Sequence, residues 1–93
     1  MTEEAIEIRL KLFADLGDLL PRELEGRQRV HNELPVRVPR DTTIGDVLAR
    51  FAVPERRAHL VLVNGVFVPR QERAAHRLCA GDALAVWPPI AGG

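Results

Sequence analysis

Apolar and polar residues alternate strictly near the start of the chain. Ile6, Ile8, Leu10 and Leu12 are separated from one another by single charged residues. Because successive side chains of a strand point to opposite faces, this period of two predicts a strand over residues 6–12 with one buried face.

Residues 34–39 show a second alternation, in which Leu34, Val36 and Val38 are the apolar members. The pattern predicts a second strand. Pro35 and Pro39 cannot donate ladder hydrogen bonds, so we expect this strand to lie at an edge of its sheet.

The stretch between these strands, residues 14–33, follows no single period. Its leucines fit one side of a short helix, but Gly17 and Pro21 interrupt that helix. The remainder is polar, including Arg29 and His31, and we expect it to be solvated.

A helix is predicted over residues 43–52. Thr43 and Asp46 have capping-box spacing, Thr42 is an alternative cap, and Pro54 closes the segment. The apolar residues that share one helical face are Ile44, Val47, Leu48 and Phe51.

The last third of the chain predicts three strands. Residues 60–63 are wholly apolar, as in a buried strand, and Asn64-Gly65 joins them to residues 66–68. Asn-Gly favours a type I′ hairpin turn, because both of its residues tolerate positive φ. Residues 70–77 are expected to form a charged, exposed connection, and 80–82 a turn. The final strand is predicted over 83–87, with Leu84 and Val86 on one face.

This order of elements predicts an α+β roll, in which one main helix packs across a mixed sheet of four to five strands. The 93 residues suit a single small domain. We expect that domain to span residues 1–87 and a flexible tail to span 88–93.

Charge and composition exclude some classes of binding partner. The chain carries 13 basic and 13 acidic residues, and this balance argues against binding to nucleic acid or to a membrane surface. No apolar run is long enough to span a bilayer, and the start of the chain lacks the features of a signal peptide. The single cysteine, Cys79, cannot form an internal disulfide. These features predict a cytoplasmic protein.

The tail carries the candidate chemistry. Pro88-Pro89 is followed by Ile90 and then by Ala91-Gly92-Gly93. Glycine lacks a Cβ atom, so such a tail is thin enough to enter a narrow tunnel, and six extended residues reach roughly 20 Å. A frayed end is the alternative, since chain ends are commonly rich in small residues.

Taken together, these features resemble the ubiquitin-like β-grasp sulfur carriers of the MoaD/ThiS type. The resemblance rests on the first strand, the helix start from Thr42 to Leu48, the Asn64-Gly65 hairpin, the Gly81-Asp82 turn and the Pro-Pro tail ending in Gly-Gly. It covers nearly the whole chain, and the tail is most similar to that of the molybdopterin synthase small subunit. The stretch 14–33 is longer and more charged than the equivalent loop of compact members.

The resemblance implies a chemistry for the tail. The Gly93 carboxylate is adenylated with ATP by a ubiquitin-activating-type (MoeB/ThiF-like) enzyme and then becomes a thiocarboxylate. The large catalytic subunit of molybdopterin synthase (MoaE-like) then uses the sulfur to build the molybdenum cofactor. The resemblance also implies that the carrier itself is not an enzyme and binds no cofactor.

The same chemistry gives each tail residue an expected role. Gly92 and Ala91 allow passage of the tail, and Pro88 and Pro89 project it from the sheet. Ile90, which lies between the prolines and Ala91, is expected with the other tail residues to contact a partner. Trp87 and Phe67 are candidate contacts with a partner, because the outer face of such sheets often binds proteins. Core packing is the alternative for both aromatic residues.

Other side chains carry weaker signals. Cys79 has no histidine or carboxylate partner in the sequence pattern, and a small buried thiol is the simpler interpretation. His31, His59 and His76 lack the spacing of metal ligands and are expected at the surface.

Several functions share this pattern. A related carrier that serves thiamine, cysteine, tRNA thiolation or tungsten-cofactor synthesis has the same tail chemistry. A ubiquitin-like protein modifier, joined to lysines of its targets, is a second class. A non-covalent interaction module is a third.

Overall fold

The computed structural model describes residues 4–90, and these contain a five-stranded mixed sheet, one α-helix and a separate two-stranded hairpin. The strands, in chain order, are β1 (Ala5–Leu12), β2 (Glu23–Leu24), β3 (Arg27–Gln28), β4 (Glu33–Pro39), β5 (Leu60–Val63), β6 (Val66–Phe67) and β7 (Ala83–Trp87). The helix, α1, spans Ile44–Arg50, and 3₁₀ helices span Ala14–Leu19, Glu55–Arg57 and Arg70–Glu72.

The strand order in the main sheet is β4-β1-β7-β5-β6. β1 runs parallel to β7 and antiparallel to β4, and β5 runs antiparallel to both β7 and β6. This confirms the α+β roll with a mixed sheet. It also confirms the edge position of the proline-containing strand, because β4 has a neighbour on one side only.

The core lies between one face of the sheet and α1. Alternate residues of β1, such as Ile8 and Leu10, are fully buried, while the charged residues between them face away. Leu84 and Val86 of β7 are likewise fully buried. Ile44, Val47, Leu48 and Phe51 of the helix join the same hydrophobic cluster.

Both ends of α1 follow from local chemistry. The Thr43 hydroxyl accepts a hydrogen bond from the Asp46 amide, and the Asp46 carboxylate accepts one from the Thr43 amide, which confirms the capping box. At the other end, the amides of Ala52 and Val53 donate to the carbonyls of Ala49 and Leu48, the pattern of a Schellman motif. Ala52 has a φ of 58° there, in the left-handed region that glycine usually occupies.

The Asn64-Gly65 hairpin is confirmed. Asn64 and Gly65 have φ values of 52° and 83°, as a type I′ turn requires, and Val63 pairs with Val66 across it. The Asn64 side chain also donates to the Asp82 carboxylate over 2.9 Å, which ties the turn to the start of β7.

The stretch 14–33 agrees only in part with its prediction. Glu25, Arg27 and His31 are exposed as expected, but the stretch also holds a 3₁₀ helix and an unpredicted hairpin that turns at Glu25 and Gly26, both with positive φ. Arg29 is half-buried and donates to the carbonyls of Gly17 and Leu20 over 3.0 and 2.9 Å. The sequence pattern missed the hairpin because glutamate is an unusual residue at a positive-φ position.

The expectation of an exposed connection over 70–77 is wrong at Arg73, whose side chain is buried. Its guanidinium donates to the carbonyls of Ala58, His59 and Val68 over 2.6, 3.3 and 3.4 Å. The buried cation is tolerated because these carbonyls replace water as acceptors. The Arg73 carbonyl in turn accepts from the Gly45 amide and helps to cap α1.

Candidate functional site

The face of the sheet opposite α1 is open. One row of paired residues crosses it from edge to edge, and directly paired residues point to the same face. The row consists of Phe67, Leu62, Ala85, Lys11 and Glu33. It is apolar at the β6 end and charged at the β4 end, where the Lys11 Nζ atom lies 3.9 Å from the Glu33 Oε1 atom.

The apolar half of this row is accessible. The Phe67 side chain is 54% exposed, and Leu62 beside it is half-buried. The expectation of a buried strand over 60–63 therefore holds for Val61 and Val63 but is wrong for Leu60 and Leu62, which lie on the open face. A run that is apolar on both faces indicates either a doubly covered strand or a partner surface, and the periodicity alone does not separate the two.

Trp87 closes the same face at the end where the tail leaves. It pairs with Leu60 in the sheet and is half-buried. Its indole ring stacks on the ring of Phe13, with the centroids 4.0 Å apart. We call Phe67, Leu62, Leu60, Trp87 and Phe13 the apolar open face.

The backbone at Trp87 is held on both sides. The His59 amide donates to the Trp87 carbonyl over 2.9 Å, and the Phe13 amide donates to the Val86 carbonyl over 3.0 Å. Pro88 and Pro89 follow, and neither has an amide hydrogen for a further ladder bond. The sheet therefore ends abruptly at the point where the tail begins.

A groove of about 570 Å³ accompanies the first tail residues. It is lined by Trp87 and by Asp15 and Arg57, which form an ion pair. Ile90 is 83% exposed at the end of this groove. The described part of the tail therefore projects from the domain and does not pack into the core.

The structure brings several predicted site residues to one end of the domain. Trp87, Pro88, Pro89 and Ile90 are continuous along the groove, and Phe67 belongs to the open face that leads to it. Ala91, Gly92 and Gly93, for which we predicted passage and activation, lie outside the described residues. Sequence reasoning missed the aromatic partner of Trp87, since nothing in the pattern near Phe13 indicates a contact with β7.

Cys79 is exposed, so the expectation of a buried thiol is wrong. Its backbone amide donates to the Asp82 carboxylate, which places the residue in the turn before β7 and outside the core. His31 and His59 are exposed and His76 is half-buried. Among residues 4–90 there is no group of three His, Cys, Asp or Glu side chains arranged to hold a metal ion.

Arg73 lies behind this site. Burial lowers the pKa of its guanidinium, and the nearby Arg70 lowers it further, while Glu55 opposes the shift. Arginine begins from so high a pKa that the group stays protonated at neutral pH. Arg73 therefore serves as a fixed cation that holds the Ala58–His59 carbonyls, and His59 holds the last carbonyl of β7.

No helix in the described part of the chain is long and apolar enough to cross a membrane.

Comparisons with known proteins agree with this architecture. The model of the ThiS family matches residues 11–93. Small archaeal modifier protein 3 of Haloferax volcanii is 33% identical over 101 aligned residues, which cover 95% of this chain and 100% of the relative.

Solved structures give the same fold. The crystal structure of small archaeal modifier protein 1 of H. volcanii is 27% identical, with a TM-score of 0.62 over 91% of this chain and 99% of that chain. A putative molybdopterin converting factor subunit 1 from Pyrococcus furiosus is 18% identical, with a TM-score of 0.57 over 91% and 99% of the two chains, and this likeness shows the fold alone. The ubiquitin-like β-grasp assignment is thereby confirmed. With the family model matching most of its length, the chain belongs to the ThiS family of small ubiquitin-like carrier and modifier proteins.

Proposed function

We propose that this protein is a sulfur carrier whose Gly93 carboxylate is adenylated and then converted to a thiocarboxylate. One structural relationship carries the proposal: the apolar open face runs into Trp87, and the tail leaves the sheet from that same residue. A partner that binds the face therefore receives the tail at a fixed point. The pathway that we propose is molybdopterin synthesis, on the likeness of the tail to that of the molybdopterin synthase small subunit.

The chemistry requires no catalytic group on this chain. A carboxylate oxygen of Gly93 attacks the α-phosphorus of ATP and pyrophosphate leaves. The terminal sulfur of a persulfide then attacks the acyl carbon and AMP leaves. A second thiol reduces the resulting acyl disulfide and releases the thiocarboxylate. An α-carboxyl group titrates near 3.3–3.7 in model compounds and so is ionised at neutral pH.

The domain contributes positioning to this sequence of steps. Ordering a tail costs conformational entropy, and Pro88 and Pro89 reduce that cost because their φ angles are already fixed. We propose that a ubiquitin-activating-type adenylating enzyme and the large catalytic subunit of a molybdopterin synthase bind the apolar open face in turn. Correct placement of reacting groups in a closed site lowers a barrier by several kcal/mol.

Protein modification is a second candidate. The relative at 33% identity is named a modifier, and the first chemical step is the same. In this function the amine of a target lysine, instead of a persulfide, attacks the activated Gly93. Isopeptide-linked adducts in a cell lysate identify this function, and gene neighbourhood separates molybdopterin from the other sulfur pathways.

The proposal is tested by the mass of the intact chain after incubation with ATP, a persulfide donor and a cognate adenylating enzyme. We expect a product in which one oxygen is replaced by sulfur. Gly92→Val should prevent this product without unfolding the domain, because a branched side chain obstructs a narrow channel. Ile90→Val is the matched control, since it places the same side chain at a highly exposed position and should react normally. An unchanged mass for the natural chain, or normal conversion of Gly92→Val, would contradict the proposal.

A further inference from the structure

Side-chain amines are almost absent from this protein. Lys11 is the only lysine in the sequence, and the other 12 of its 13 lysine and arginine residues are arginines. The arginine guanidinium is protonated at all physiological pH values and does not attack acyl groups. The amine of Lys11 is therefore the one side-chain amine of this protein that an activated carboxyl group could acylate.

Lys11 also has a defined place on the sheet. Its neighbours Leu10 and Leu12 are fully buried, so Lys11 points to the open face. It pairs with Ala85 on one side and Glu33 on the other, in the row that contains Phe67. A third of its side chain is exposed, and within residues 4–90 its ammonium group forms a surface ion pair with Glu33, a weak restraint.

We propose that Lys11 is a modification site, the acceptor for the activated Gly93 of a second copy of this chain, and that the isopeptide closes the open face to other partners. This inference rests on the proposed function, because Gly93 must first be activated. The neutral Nζ atom attacks the acyl carbon of the Gly93 adenylate. The new C–N bond forms, the C–O bond to AMP breaks, AMP leaves, and the amine proton passes to solvent.

The donor is a second copy because the described start of the tail, Pro88 to Ile90, leads away from Lys11 of the same molecule. Its first residues run beside Ala14 and Asp15, which follow the end of β1, and the Phe13–Trp87 stack stands between this groove and Lys11. Pro88 and Pro89 have fixed φ angles and extend the chain in that direction. The tail of another copy approaches the face without this restriction.

The position of Lys11 in the row of paired residues explains why the isopeptide would block partner binding. An acyl group on Lys11 brings a whole domain to a position one strand from Ala85 and two strands from Leu62. Partners that need Leu62 and Phe67 are then excluded by the attached copy. The acceptor copy, whose own tail stays free, would then no longer be activated by the adenylating enzyme.

The acceptor is tested without any enzyme. The full chain is prepared with its terminal carboxyl group as a thioester of 2-mercaptoethanesulfonate, and the products are mapped by peptide mass spectrometry. We expect a covalent dimer branched at Lys11, and a loss of about tenfold or more in dimer for Lys11→Arg. A dimer joined only through the N-terminal amine or the exposed thiol of Cys79, a monomer lighter by one water (closure onto Lys11 of the same molecule) or hydrolysis alone would overturn the proposal.

A second variant, Lys11→Arg/Arg56→Lys, tests whether the isopeptide blocks binding of the adenylating enzyme to the open face. In this variant the sole lysine moves to an exposed position outside the sheet. The thioester reaction gives a branched dimer of the natural chain and one of the double variant. Each purified dimer is given ATP and the adenylating enzyme, and pyrophosphate release is measured against the free chain. The dimer branched at Lys11 should react about tenfold or more slowly than the free chain, and the dimer of the double variant should react within about twofold of it.

Equal rates for the two dimers would overturn the closure of the face. Failure of the free chain to react would instead refute the proposed function, while the thioester experiment still decides the role of Lys11.

Discussion

The indole ring of Trp87 lies parallel to the phenyl ring of Phe13, with an angle of 4° between the ring planes and 4.0 Å between the centroids. Phe13 directly follows β1, and Trp87 is the last residue of β7. The stack therefore joins the ends of two parallel strands at the point from which the tail departs. A loose contact here would allow the start of the tail to move relative to the open face.

The stack should contribute a measurable coupling energy. In a double-mutant cycle with Phe13→Leu and Trp87→Leu, we expect about 0.5–1.5 kcal/mol of coupling in the free energy of unfolding, as for other aromatic pairs. Urea denaturation followed by circular dichroism measures it. The pair Phe51→Leu and Trp87→Leu is the control and should be additive, because Phe51 belongs to the core on the other side of the sheet. Additivity in both cycles would show that the rings do not stabilise each other.

Phe67 should matter for binding and little for folding. With 54% of it exposed, we expect Phe67→Ala to change the free energy of unfolding by about 1 kcal/mol or less. The dissociation constant of this variant with the adenylating enzyme should rise about tenfold or more, as is typical of an aromatic hot spot. Val66→Ala is the matched control, since Val66 is 67% exposed on the same hairpin but pairs with Val63, whose side chain faces the core. Equal losses of affinity in the two variants would place the binding surface elsewhere.

Arg73 should be a large contributor to stability. Arg73→Met leaves the carbonyls of Ala58, His59 and Val68 without their donor, and each buried unsatisfied group costs about 1–3 kcal/mol. We expect a loss of about 2–4 kcal/mol in the free energy of unfolding, since water will reach some of these groups. Arg70→Met removes the same charge from an exposed position and should cost about 0.5 kcal/mol or less. A midpoint of urea denaturation for Arg73→Met equal to that of Arg70→Met would contradict this role.

Ala52 offers a stabilising change. It has a φ of 58° at the end of α1, and a left-handed conformation costs a residue with a Cβ atom roughly 1–2 kcal/mol. Ala52→Gly should therefore raise the free energy of unfolding by about 0.5–1 kcal/mol, after the greater entropy of glycine in the unfolded chain is subtracted. Ala49→Gly, within the helix and also exposed, should lower it by about 1 kcal/mol. Urea denaturation of both variants measures the two changes, and changes of the same sign would exclude backbone strain as the cause.

Local patterns predicted the elements whose causes are local. The alternation at residues 6–12 depends on a period of two, and β1 has the buried and open faces that this period requires. The capping box at Thr43 and Asp46 involves residues three apart, and it forms as predicted. Asn64-Gly65 contains its own turn chemistry, and the hairpin follows.

The failures occur where the cause is distant in sequence. Arg73 is buried because carbonyls from two other segments, at Val68 and at Ala58–His59, converge on it. Arg29 orders the stretch 14–33 through carbonyls nine and twelve residues away. Neither interaction has a periodic signature, because each depends on how separate loops meet.

The sequence by itself determined the five strands of the main sheet, the helix and a tail whose small residues suit passage through a narrow channel, since each depends on neighbouring residues and their backbone preferences. Only the tertiary structure decided that Phe67, Leu62 and Leu60 share one accessible face, that this face continues to Trp87 and Phe13, and that Lys11 lies in the same row. The physical reason is strand register: hydrogen bonds between strands far apart in sequence fix which side chains become neighbours, and no local pattern contains that information.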